Sequence, residues 1–553
     1  MKHIIYTLLF GVAVFLFFGL AYTHHMHYQE QYQLFLFDSS YVWEIVRLPG
    51  GVADLLGRFC TQFFLFAWVG AAIIAVLLSA VQLLTLRLFN GQWSMINGQS
   101  SIVNGQSSIV NGQWSMINGQ WFYGLSFVPA FLLWLFLLDE NALLGGVWAV
   151  LLTLLATWGL DKLSDGWVRR ILPIAAAPIL YWMAGPVCVV LIVGEASKLC
   201  NFLMGATGSK TQSLEASPTT GLLQSLEASP TIWCGGVVVL LVGLIVILSS
   251  YIPVPTDKLW TGVHYHRYPT VFPALLWYAV LSVFVLTLIA HVFKKWGKVS
   301  NHYAVSLCSF ALVAAIMGSV VWKNSNFKAE KVMQYDFMAR HQQWNRILQT
   351  INAEKPNNQI GVTVQNLALG MHGLLADHLF EFNQNGILGL LPDVERDATS
   401  PLPTAEVFYQ LGMIYVAQRT VFEAQEAILD FQKSGRCYKR LAQTNLIIGS
   451  YEVARKYLTT LQKTLFYREW ADETLQLLGN EEAIAKHPEY GRLRQFAYNN
   501  NFYFSDHVTP DMLESLFFSN MENRLAFEYL KAYYMLTGDR ERYTRLLLHI
   551  KQQ

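Results

Sequence analysis

The sequence predicts an all-α protein in two unlike parts. A polytopic membrane domain of about nine helical spans covers residues 1–322, and a water-facing helical domain covers residues 323–553. The first observation behind this is composition. Of 553 residues, 53% are hydrophobic and 14% charged, with a mean hydropathy of +0.31, whereas soluble domains carry about 25% charged residues. The second is distribution: the apolar excess is confined to the first 322 residues, in runs approaching the ~20 residues that a helix needs to cross a bilayer. The balance of 39 basic against 38 acidic residues excludes a nucleic-acid partner held by bulk charge. Six cysteines are too few for a disulfide framework.

The expected spans run in order. Ile4 to Tyr22 follows only Met1-Lys2-His3 and lacks a small-residue cleavage site, so it reads as a retained helix. Phe63 to Leu86, Trp121 to Leu138 and Ala142 to Leu160 follow. Ile171 to Ala184 and Val187 to about Met204 are separated by Gly185-Pro186. Ile232 to Tyr251, Val271 to Val292 and Tyr303 to Trp322 complete the set.

Whether 171–204 crosses once or twice decides on which side the tail lies. With nine spans, Lys2, Arg87, Lys162, Arg169, Arg170, Lys198, Lys210, Lys294, Lys295 and Lys298 are inside, and Arg47, Arg58, Lys258 and Arg267 are in short outer loops. That is ten against four. With eight spans the count is seven against seven. The excess of basic residues on the cytoplasmic side of membrane proteins favours nine spans and an outer tail.

Two polar stretches read as tandem expansions tolerated in inner loops. Residues 90–120 repeat every seven residues (NGQWSMI, NGQSSIV), and Gln212–Thr219 recurs as Gln224–Thr231 within a low-complexity loop over 205–231. Asn-Gly in each heptad unit is expected to break a helix.

From Asn324 onward, 3.6-residue periodicity predicts stacked helices. They include Phe327–Ile351, Val362–Phe382, Thr404–Gln418, Val421–Gln432, Tyr438–Ile448, Tyr451–Lys463, Tyr467–Leu478 and Glu522–Leu536. Two stretches resemble the tetratricopeptide pattern of small residues at close helix crossings. One is Ala405 to Tyr415 with Ala424 and Ala427. The other is Leu441-Ala442 with Gly449-Ser450-Tyr451 and Ala454. A TPR-like tail implies a surface for a protein partner.

Chemistry is sought in two outer loops. The first holds His24, His25, His27, Glu30, Asp38, Tyr41 and Pro49-Gly50-Gly51, and is expected to lie on the membrane surface as short amphipathic helices. Glu30 and Asp38 are its candidate catalytic carboxylates. His24 and His27 share a helix face, but no fourth ligand completes a divalent-metal site, so no cofactor is assigned. The second loop holds Trp260, His264, His266 and Arg267, of which Arg267 suits an anionic headgroup or pyrophosphate. With Tyr41 these are the candidate substrate-binding residues. Asp139-Glu140 lies on the same expected side. No Walker loop, dinucleotide fingerprint, HExxH or CxxC is present.

Glu30 to Phe37, Pro49-Gly50-Gly51, Gln62-Phe63-Phe64 and the tail segment Asn523 to Leu536 resemble an uncharacterised multi-pass inner-membrane family of the Bacteroidota. That resemblance implies a bacterial inner-membrane protein with a periplasmic tail. The layout is also similar, more distantly, to the GT-C glycosyltransferases. It then implies a polyprenyl-phosphate-linked sugar and a catalytic acid at Glu30, although the paired acidic residues common in those enzymes are missing. Three functions follow as expectations: an envelope scaffold, a lipid-linked sugar transferase, and a transporter. Near-absence of charge within the spans, Glu195 and Lys198 apart, counts against transport.

Overall fold

A computed structural model describes residues 2–98, 122–162, 167–192, 230–293, 302–394, 400–429, 432–498 and 508–551. Among these residues the secondary structure is helical throughout, and the only β contact is an isolated antiparallel bridge between Ala142 and His266. The chain forms two compact units: Met1–Ala21 with Ser39–Ser325, and Tyr22–Asp38 with Asn326–Gln553.

In the first unit, four helical segments are long and apolar enough to cross a membrane: Ile4–Ala21, Ala67–Phe89, Leu172–Val190 and Leu307–Asn324. Leu144–Leu160, Gly236–Leu248 and Ala274–Ile289 are apolar but shorter. This is fewer than the nine expected. One reason is that Trp121 to Leu138 forms two short helices, Phe122–Leu125 and Val128–Phe136, with turns at Ser126-Phe127. Another is that Gly185–Val190 tightens into a 3₁₀ turn. The expected span at 187–204 lies outside the described residues beyond Ile192. A further correction concerns the first heptad unit. The helix Ala67–Gly98 runs through Asn90-Gly91; a helical glycine costs only about 1 kcal/mol, and extending an existing helix is cheap compared with nucleating one. The remaining heptad units and both QSLEASPT repeats lie outside the described residues.

The tail unit is a run of short helices packed in antiparallel pairs. Pro401–Leu411 pairs with Ile414–Glu426, and Gly435–Ile447 with Tyr451–Leu461. The second pair turns at Gly449-Ser450, where the sequence expects the turn. The first pair turns earlier than expected. Gly412 takes φ +90° and caps Pro401–Leu411, because the left-handed conformation is nearly free only for glycine. The helix expected over 404–418 is therefore two helices. Phe327–Ile351 likewise divides into Phe327–Arg340 and Trp344–Glu354. Phe408, Tyr409, Leu446, Tyr529 and Leu530 form part of one buried core.

Residues 22–38 depart from expectation most. They belong to the tail unit rather than to the unit of the apolar helices. Thr23–Glu30 is a helix with His25, Met26, Tyr28 and Glu30 buried. The chain then runs extended to Asp38, and the Leu34 and Phe37 amides donate to the Lys433 and Lys463 carbonyls at 3.0 and 2.7 Å. Tyr28 and Tyr32 pack with Leu402, Ala405, Val421 and Leu441. Tyr28, Tyr32, Leu34, Phe35 and Leu36, which suggest an interfacial loop in sequence, are buried, while Phe37 is exposed.

Candidate functional site: a charge network in the helical tail

The helix Gly435–Ile447 carries Arg436, Lys439 and Arg440. Residues three and four apart share one helix face, so three cations project together. Ser434 caps the helix by accepting the Cys437 amide at 3.1 Å. That cap fixes the first turn and with it Arg436.

Arg436 forks onto Asp336, at 2.6 Å to Oδ2 and 2.8 Å to Oδ1. It also donates to Gln31 Oε1 at 3.1 Å and to the Leu402 carbonyl at 3.3 Å. This two-point fork is the strongest arrangement available to an arginine and a carboxylate. Arg440 pairs with Glu406 at 2.5 Å and lies 3.6 Å from the centre of the Tyr409 ring. Gln410 donates to Glu406 at 3.1 Å, and Tyr409 donates to Glu489 at 2.9 Å.

The third pair involves Glu30. Tyr467 Oη donates to Glu30 Oε1 at 2.8 Å, Arg340 Nη2 donates to Tyr467 Oη at 3.1 Å, and Arg340 Nη1 lies 3.8 Å from Glu30 Oε2. Burial holds the Glu30 carboxyl above its ordinary range, opposed by the Arg340 charge and the Tyr467 hydroxyl. Asp38 is placed by Lys463, its ion-pair partner in the same unit.

Lys439 stands among these pairs. Glu406 and Glu489 are within electrostatic reach, yet burial and the charges of Arg340 and Arg440 outweigh them and lower its pKa to about 8. Among the described residues it makes no hydrogen bond or ion pair; its ammonium lies 4.8 Å from the centre of the Trp470 ring. His341 is a further neighbour, its pKa lowered by burial and then by the charges of Arg340, Arg436 and Lys439.

The helix Thr23–Glu30 begins at a carboxylate. The amides of His24 and His25 donate to the two oxygens of Glu330 at 2.6 and 2.9 Å, satisfying amides that a helix start leaves unbonded. Burial raises the Glu330 pKa to about 7, and these two amides oppose the rise. Burial also lowers the His24 pKa to about 4, helped by Arg346 and Lys331. His24 and His27 approach at 3.4 Å between Nδ1 atoms. Among the described residues no three His, Cys, Asp or Glu side chains converge on a metal position.

The other predicted site residues lie in the first unit, where several loops meet. The amide of Leu143 donates to the Tyr265 carbonyl, and that of Arg267 to the Asn141 carbonyl. His266 Nε2 is 3.1 Å from Asp139 Oδ2. Tyr265 Oη donates to the Ala184 carbonyl at 2.5 Å, Trp182 Nε1 to the Val46 carbonyl at 2.8 Å, and the Gly50 amide to the Trp182 carbonyl. Arg58 pairs with Asp54 at 2.8 Å and is also hydrogen-bonded to Tyr41. His266 and Arg267 are buried, whereas Trp260 is exposed. His264 is half-buried, its carbonyl facing Gly145. Tyr41, Asp139, His266 and Arg267 thus belong to a cluster of loop residues at helix ends, while Glu30 and Asp38 belong to the tail.

Sequence reading passed over Arg340, Arg436, Lys439, Arg440 and Tyr467. One signal was present: Arg436, Lys439 and Arg440 occupy positions i, i+3 and i+4. It went unused because the helix was expected to start at Tyr438.

The fold and these clusters define an all-helical protein with membrane-compatible apolar helices and a separate helical unit built around buried ion pairs. The chain belongs to a family of unknown function, DUF6057, whose model matches residues 1–552. No curated protein matches the chain, and no solved structure does.

Proposed function

We propose that this is a nine-span integral protein of the bacterial inner membrane that presents its TPR-like tail outside the cytoplasm as a scaffold for a protein partner. The observation that carries the reading is the composition of the tail unit. It contains both the segment after the first apolar helix and everything from Asn326 onward. A folded unit lies on one side of a bilayer, so the chain crosses an even number of times between Asp38 and Asn326. Eight crossings there give nine in all; an eight-span chain would need seven. The loop cluster argues the same way, because residues near Ala184, at the end of Trp167–Ala184, meet Tyr265. Those two loops therefore share a side. The bias of ten inner against four outer basic residues puts that side outside.

The paired helices Pro401–Leu411 with Ile414–Glu426 and Gly435–Ile447 with Tyr451–Leu461 support a stacked-hairpin binding surface. In this reading Glu30 and Asp38 fasten the segment after the first span into the tail. The test combines topology and contact. A phosphatase reporter fused at Gln553 should be active and a fluorescent-protein fusion dark. A photo-crosslinking residue at exposed Phe422 should give a discrete protein adduct in cells. An inactive phosphatase fusion rejects the topology, and absence of any adduct along Ile414–Glu426 rejects the scaffold.

The loop cluster of the membrane unit favours a second reading, a lipid-phosphate sugar transferase. A buried Arg267 beside His266 and Asp139 has the chemistry to hold a phosphate headgroup. Arg267→Gln would then abolish a surface glycan while leaving the Phe422 adduct intact.

A further inference from the structure

The tail holds a lysine whose charge its own fold leaves unmatched. Three arginine–carboxylate pairs surround it: Arg340 with Glu30, Arg436 with Asp336, and Arg440 with Glu406. Each pair uses its carboxylate internally, and Glu489, the remaining acid within reach, accepts the Tyr409 hydroxyl at 2.9 Å. One guanidinium nitrogen of Arg440, Nη1, is buried without a hydrogen bond and lies 4.0 Å from Glu489. A buried donor left unsatisfied is costly, so Arg440, together with Lys439, unpaired among the described residues, retains capacity for an anion. Lys439 and Trp470 are half-buried rather than sealed, which leaves the ammonium approachable from the surface.

We propose that Lys439, backed by Arg440 and Arg340 and flanked by Trp470, is an oxyanion-binding site that takes a carboxylate from an acidic peptide segment of the partner. The proposal rests on reading the tail as a binding module and names the chemistry of what it binds. A carboxylate entering beside Lys439 makes a charge-assisted hydrogen bond in a setting already partly dehydrated, where such a bond is stronger than in open water. It also relieves the repulsion among three neighbouring cations. The indole face of Trp470 offers apolar contact to the methylenes of a glutamate side chain, an advantage over a bare inorganic anion.

The test uses the full-length protein in neutral detergent and fluorescein-labelled hexaglutamate as probe. Saturable binding is expected, weakened about tenfold by Lys439→Gln and largely kept by Lys439→Arg, as loss of a partner from a desolvated charge pair requires. A second readout follows Lys439 itself: acylation quantified by peptide mass spectrometry should slow when hexaglutamate is present. Equal binding by wild type and Lys439→Gln, or no binding by wild type, overturns the proposal. Protection by inorganic phosphate but not by hexaglutamate overturns the assignment to a peptide. The Phe422 crosslink is independent of these results, so a persisting adduct with no Lys439 effect rejects the site and leaves the scaffold reading standing.

Discussion

The apolar helices of the first unit carry large apolar side chains on outward faces as well as in a buried core, whereas the tail unit keeps most of its largest ones in its core. Leu8, Val76, Val239 and Leu312 are each more than 60% exposed, while Phe408, Tyr409, Tyr529 and Leu530 are fully buried. The polar groups differ mainly in charge. Within the apolar helices the hydroxyls of Thr85, Thr153 and Thr287 donate to carbonyls one turn back, at 2.7–2.8 Å. Such local bonds satisfy a hydroxyl where no water can. Bridges between distant helices occur in both units but differ in charge: Thr7 donates to Gln82 and Gln82 to Ser126 in the first, whereas in the tail Arg436 reaches Asp336, Gln31 and the Leu402 carbonyl. The lesson is that the two units differ in how much apolar surface their helices leave exposed and in how far charged pairs cross-link them. Residues 22–38, though enclosed in the membrane half by sequence, follow the tail's pattern.

The sharpest way to break this contrast is to remove a long-range polar bridge. Arg436→Met should leave the half-buried Asp336 without its partner and lower tail stability by about 2–4 kcal/mol, read as an earlier unfolding transition of the full-length protein. The same measurement on Val239→Ala, which is exposed in the membrane unit, should move by less than about 0.5 kcal/mol in detergent. Next in size is Gly262→Ala. Gly262 has φ +111°, and a Cβ there would stand 2.1 Å from the Tyr265 ring. The strain and clash should cost about 1–3 kcal/mol and affect the membrane unit's transition rather than the tail's. Tyr467→Phe removes the hydroxyl between Glu30 and Arg340 and should cost about 1–3 kcal/mol in the tail.

A smaller effect concerns pH. Glu330 has its folded pKa raised from 4.5 to about 7, so the folded state binds its proton more tightly and stability rises as pH falls through 7 toward 4.5. His24 has its folded pKa lowered from 6.5 to about 4, so its contribution is complete above pH 6.5 and is lost as pH falls toward 4. The two oppose each other between 6.5 and 4.5. Unfolding midpoints should therefore rise from pH 8 to 6.5 and then flatten. Glu330→Gln should shrink the rise, leaving the contribution of Glu30, whose carboxyl is also raised by burial, and His24→Asn should extend it to lower pH. The smallest expected change is Lys439→Gln, within about 0.5 kcal/mol of wild type, since no partner is stranded by removing that charge.

How much of this was legible in the sequence depends on range. The all-helical class, the change in character near residue 322 and the turn at Gly449-Ser450 follow from local patterns of period 3.6 and from turn residues. The early turn at Gly412 was not separable by pattern, because a small residue at a helix crossing and a left-handed cap look identical in sequence. The folding of 22–38 into the tail has no local signal at all. Gln31 meets Arg436 across 405 positions, and Tyr28 and Tyr32 are as suitable for a headgroup belt as for a core. Of the candidate site, the sequence places the Asp139 and His266 loops on one expected side, but their contact depends on packing that a shared side does not fix. The three arginine–carboxylate pairs were not legible, because carboxylates on three different helices supply them.

The central claim, that residues 22–38 are part of the tail, is tested most directly by cross-linking in native membranes. Asp38 and Lys463 form an ion pair, and the neighbouring Phe37 amide donates to the Lys463 carbonyl at 2.7 Å. With Asp38→Cys and Lys463→Cys in one chain, a short bifunctional maleimide should join the N-terminal and C-terminal fragments released by a protease that cuts between them. Fragments that separate after treatment, with both cysteines singly modified, would contradict it.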